Sequence, residues 1–167
     1  MTGVMVDAET VALIEFLDAQ RASVLAIVEH LPAAALNSSV LPSGWTLLGL
    51  IEHLGHAERH WFQGVVTGVA EDLPWADDWD VNAPFATGHD AQAVIDFYRD
   101  QCRRSNEILA RTPLSSTVRQ RHAGDVDFEV HDVRRVALHM IEETARHAGH
   151  LDVARELLDG EVGRGPR

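Results

Sequence analysis

The sequence predicts an all-α protein, a bundle of four long helices joined by long connections. Two observations carry that reading. Apolar residues recur at the 3.6-residue helical period in four separate stretches, and each stretch is bounded by helix start or stop residues. The stretches run to about 20–27 residues each, a length at which side chains on facing helices build the sites of such bundles.

The first helix is expected from about Ala8 to Leu31. Leu13, Ile14, Leu17, Val24, Leu25, Val28 and Leu31 form its stripe, and Pro32 follows its end. A loop crosses Asn37 to Gly44, closing on Leu41-Pro42-Ser43-Gly44. The second helix begins beside Thr46, a suitable N-cap, and reaches about Val66, with Gly68 just past its end. Its apolar stripe is Leu47, Leu50, Ile51, Leu54, Ala57, Trp61 and Val65.

Residues 69–89 read as a long irregular connection, broken by Pro74, Pro84 and Gly88. Glu71, Asp72, Asp77, Asp78 and Asp80 make it acidic, while Trp75, Trp79 and Phe85 interleave with those charges. The aromatics predict that it packs on the body, and long connections of this kind are functional lids or plain linkers. Asp90 caps a third helix that runs to about Arg111, ahead of Pro113. The alternation in Thr117–Arg121 and Val126–Val130, around Gly124-Asp125, predicts a short hairpin. Asp132 starts the last helix, which extends to about Leu158 and is closed by Gly160. There is no internal repeat and no boundary, so residues 1–167 read as one domain.

Composition narrows the function. Lys and Arg total 14 against 26 Asp and Glu, a formal net charge of −12. All the basic residues are arginines, and Arg103-Arg104 and Arg134-Arg135 are isolated pairs that form no basic patch. A surface so acidic repels phosphate backbones, which argues against nucleic acid as a partner. No apolar run approaches the ~18 residues of a membrane span, and the first residues lack a secretion pattern. A cytoplasmic protein without membrane association is expected. The single cysteine, Cys102, excludes an intramolecular disulfide and reads as a buried structural residue of the third helix.

The histidines carry the chemistry. Glu143 and His147 are four residues apart on the last helix, one turn along a single face. A carboxylate and an imidazole so placed can share a divalent ion, with a third ligand supplied by a facing helix. His53 on the second helix is the candidate. Three protein ligands leave one position open, as in catalytic metal sites. His56 and His60 form a rival i, i+4 pair. A Glu–His pair at this spacing can also be a surface interaction worth a few tenths of a kcal/mol.

Three segments carry a resemblance: SGWTLLGLIEHLGHAERHWF (43–62), FYRDQCRRSNEI (97–108) and VRRVALHMIEETARHAGHLDVARELLDG (133–160). In that order they resemble the mini-circle protein family, a branch of the DinB-like superfamily of metal-binding four-helix proteins. The likeness spans about Leu31 to Gly163. Many DinB-like proteins use three histidines, whereas Glu143 stands here where the first histidine of the fourth helix would be. In that respect the chain is similar to the metal-binding domain of mycothiol-dependent maleylpyruvate isomerases. The resemblance implies His53, Glu143 and His147 as metal ligands. Two imidazoles and a carboxylate with an open place suit zinc first, with nickel, iron or manganese tolerated by the same donors.

Around the ligands, Glu58, His56, Arg146 and His150 are candidates to support the imidazoles, Glu58 only if it curls back towards His53. His150 is the candidate proton carrier. The resemblance further implies a metal-dependent thiol S-transferase that joins a mycothiol-type low-molecular-weight thiol to an electrophile, for detoxification or stress response. A hydrolase or isomerase of a small molecule and a non-catalytic dimeric metal-binding module are the alternatives. Exposed helix faces of such bundles suggest a homodimer.

Overall fold

A computed structural model describes residues 7–70, 72, 74–75, 80, 83–120 and 130–162. Its elements are α1 (Ala8–Val28), α2 (Ala33–Leu36), α3 (Leu47–Glu58) running on as a π-helical segment (Arg59–Thr67), α4 (Ala91–Arg111) and α5 (Val133–Asp159). The four long helices make the expected all-α bundle. Contacts pass round a square: α1 lies against α5, α5 against α3, α3 against α4, and α4 against α1. No helix among the described residues is long and apolar enough to cross a membrane.

The helix starts fall where the sequence puts them. Side-chain oxygens of Thr46, Asp90 and Asp132 each accept backbone N–H groups that the first turn leaves unpaired. Gly68 and Gly160 close their helices in the left-handed conformation. The end of α1 is a correction, because the helix stops at Val28 instead of Leu31. Glu29 turns extended and His30 is left-handed (φ 64°), since the residue before Pro32 resists helical geometry. The buried Arg155 of α5 then donates to the carbonyls of Ile27 and Glu29, at 2.6 and 3.2 Å, which satisfies that end. Pro32 opens the short helix α2, which periodicity did not reveal.

The second helix is also not uniform. Beyond Glu58 it widens into the π segment, whose i→i+5 bonding is rare over such a length. The wider turn buries Phe62, Gln63 and Val66 together with Trp61 and Val65, more than a 3.6-residue stripe can turn inward. Gln63 donates from its amide to Gln101 of α4 at 2.6 Å, so the buried polar group is satisfied.

Of the hairpin expected around Gly124, residues 121–129 lie outside the described residues. Among those described there is a single antiparallel bridge, Thr117 to Asp132, in place of a ladder. Residues 114–120 instead attach to the bundle, with Arg119 and Gln120 both donating backbone N–H groups to Val65 O. The acidic connection packs as its aromatics predict. Trp75 and Phe85 lie against the core built from α1, α3, α4 and α5, while Trp79 lies outside the described residues.

Cys102 is half-buried against the same core. Burial first, and then the nearby Glu58 carboxylate, push its thiol well above the usual range, although the Arg21 charge opposes them. Thiolate is the reactive form. Iodoacetamide is therefore expected to label native Cys102 at least ~100-fold more slowly than the unfolded chain. Comparable rates would contradict this environment.

Candidate metal centre

Two turns of α5 and the middle of α3 build the site. Ala137, Met140, Thr144, Ala148 and Leu151 bury one face of α5, and His147 falls at its edge, 8% exposed. Glu143 lies one turn earlier and is half-buried. Across the helix pair, Leu50, Ile51 and Leu54 anchor α3 in the core, leaving His53 beside them and turned to α5. The Nε2 atoms of both imidazoles converge on Glu143 Oε1, His147 at 2.9 Å and His53 at 3.3 Å.

The three donor atoms lie within 4.8 Å of one another, the one such group of three among the described residues. Bonds of about 2.0–2.2 Å in a tetrahedron put neighbouring ligand atoms roughly 3.3–3.5 Å apart. The His53–Glu143 edge, 3.3 Å, already has that length, and the His147–Glu143 edge, 2.9 Å, is a few tenths of an ångström shorter. The donor set fits as well, with two borderline nitrogens and a hard oxygen. Hydrogen bonding to His147 and then to His53 holds the Glu143 carboxyl far below the usual carboxylate range, so it stays ionised. His147 Nδ1 is buried with no hydrogen-bond partner among the described residues.

The site opens on a cleft of about 460 Å³. Its walls are α3, the start of the π segment and residues 83–89 of the acidic connection, with Glu143 on the far side. His56 and His60 line this cleft beside His53, so the rival pair is neighbour to the site rather than a separate centre. No third donor joins them in a group of metal-ligating geometry among the described residues.

Glu58 does not curl back. Its carboxylate is fully buried and both oxygens accept from Arg21, at 2.8 and 2.6 Å, which removes it from the support of His53. Arg146 and His150 are exposed on α5 and do not line the cleft. The His150 ring stands 5.6 Å from that of His147 and 6.2 Å from Trp45. Partial desolvation, then the charges of His147 and Arg146, lower its proton affinity.

Phe85, expected to pack on the body, also stacks its ring on the His53 imidazole, centroids 4.2 Å apart at 27°. It also meets His147 edge-on at 6.0 Å. The segment reaches this position by crossing α3 at Gly49. A Cβ there would stand 2.4 Å from Phe85 O and 2.5 Å from Ala86 N. A glycine inside an otherwise apolar helical turn costs ~1 kcal/mol, and that cost is the sequence signal for the crossing. Further along, His89 stacks on Trp75 at 4.5 Å and approaches Glu52 at 3.8 Å.

Residues 12–160 match the model of a family described as mycothiol-S-transferase. Among solved structures, one described as the conserved protein of locus from Enterococcus faecalis has the same fold, with a TM-score of 0.72 at 16% identity. The match covers 91% of this chain and 98% of that one. No curated protein matches the sequence.

Proposed function

The chain belongs to the mycothiol-S-transferase family, and from that premise we propose that it is a metal-dependent thiol S-transferase. It joins a mycothiol-type thiol to an electrophile, in the service of detoxification. The observation that carries this reading is the meeting of His53, Glu143 and His147, the first two of which line a roomy cleft while His147 lies buried behind them.

In this reading the three side chains hold a divalent ion, zinc first, which when bound supplies an open position that lowers the pKa of a thiol at neutral pH. Glu143, ionised at all ordinary pH values, balances part of the ion's charge. The cleft does the rest. Among the described residues its lining has the carboxylates of Glu52 and Asp80, four imidazoles and the aromatic faces of Trp61 and Phe85, and no arginine. Such a wall favours an uncharged, hydrogen-bonding thiol over a phosphorylated one, whose charge it would repel. The half-enclosed shape excludes part of the bulk water from the reacting sulfur.

Zinc-loaded protein is expected to form conjugate from mycothiol and a chromogenic electrophile, and His147→Ala is expected to form none. Equal rates with both proteins would end the proposal. Turnover of the electrophile without any thiol would point to a hydrolase instead.

A further inference from the structure

We propose that Phe85 is a positioning residue for the metal centre. The segment 83–89, seated on Gly49, then holds the His53 imidazole in its ligating orientation. This rests on His53, Glu143 and His147 being the ligands.

A metal-ligating imidazole usually donates its second N–H to a carboxylate or carbonyl, and that bond fixes the ring plane. Among the described residues the hydrogen bond of His53 is the one from Nε2 to Glu143, and no second bond of this kind holds the ring. Among the described residues its ring meets Glu143 through Nε2, His147 edge-on at 5.2 Å and Phe85 face-on at 4.2 Å. The terminal torsion of histidine is broad, so little in the side chain itself keeps Nε2 aimed at Glu143. The Phe85 face blocks that swing from one side, and the edge-on contact with His147 confines it further.

The stack is only as firm as the segment that carries it. Thr46 donates its N–H to Phe85 O at 2.8 Å, tying the segment to the first turn of α3. The same residue's hydroxyl accepts Gly49 N–H at 3.0 Å, so helix cap and docking point coincide. Gly49 leaves the backbone of Phe85 and Ala86 room to lie on the helix. His53 is one turn further along that helix, directly under the ring. The segment therefore has two tasks: it walls the cleft, and it replaces a missing hydrogen bond with an aromatic face.

The test uses the full chain with zinc as the probe. Zinc affinity is measured by chelator competition, and the histidine ring resonances are recorded in zinc-free protein. Phe85→Leu keeps apolar volume but loses the flat face, and Gly49→Ala displaces the segment while leaving both rings in the chain. Both are expected to weaken zinc binding about tenfold, at the lower end of what ligand-orienting residues contribute. Both should also shift the His53 ring signals and leave those of His139 in place. Phe85→Tyr should restore both properties. Wild-type affinity and unmoved His53 signals in Phe85→Leu, alongside weakened zinc binding in His53→Ala, would overturn the positioning role alone. Undiminished binding in His53→Ala would overturn the ligand assignment and this inference with it.

Discussion

Replacing Glu143 with glutamine is expected to raise the zinc dissociation constant more than ~100-fold, exceeding what residues behind the ligands contribute. The reason is geometric as much as electrostatic. Glu143 Oε1 is the atom on which both imidazoles converge, at 2.9 and 3.3 Å. An amide in its place carries no charge. It can also turn its NH2 towards the ion, where it has no lone pair to give. His53→Ala and His147→Ala remove a donor outright and should fall in the same range. The measurement is elemental analysis after dialysis, followed by chelator competition. A thermal scan gives an independent check. Saturating zinc at 100 times its dissociation constant adds about 2.7 kcal/mol to wild-type stability, and should leave Glu143→Gln unmoved. Full zinc retention by all three variants would redirect attention to His56 and His60.

How much of this was legible beforehand depends on whether a feature is periodic. The stripes through Leu17, Val24 and Val28, and through Ile51, Leu54, Trp61 and Val65, are properties of single helices, and those residues are buried. Caps are local, so Thr46, Asp90 and Asp132 were readable too. The Glu143–His147 spacing is equally local. Its meeting with His53 is not, because no spacing fixes which helices lie side by side, and the pairing of α3 with α5 came from resemblance. The π segment broke the period with no proline, and Gly64 inside it is a signal too weak to announce a change of helix type. Phe85 escaped because a stack between a connection and a helix has no sequence register. Gly49, an interruption among Leu47, Leu48 and Leu50, was the available hint.

The second large effect concerns a signal that was present and went unused. Arg21 lies in the stripe of α1, between Leu17 and Val24, and Glu58 lies in that of α3, between Leu54 and Trp61. Opposite charges, each embedded in an apolar stripe, call for one another. They are 4% and 0% exposed and share two hydrogen bonds, at 2.8 and 2.6 Å. Arg21 donates further to Asp18 and to Asn106, both at 2.7 Å, joining α1 to α3 and α4. Burial works against the guanidinium charge, but the Glu58 carboxylate outweighs it and holds the proton more firmly than usual. Arg21→Ala leaves a carboxylate buried without its cation, which costs ~3–5 kcal/mol. In a chain of this size that corresponds to a fall of roughly 6–20 °C in Tm. The double change Arg21→Met, Glu58→Leu removes both charges and should stay much closer to wild type, since desolvating a pair offsets most of its attraction. Zinc stoichiometry separates this role from the one first expected of Glu58. If Glu58 serves the bundle and not the metal, Glu58→Gln melts early yet still binds one ion. A variant that keeps its Tm and loses zinc would return Glu58 to the site.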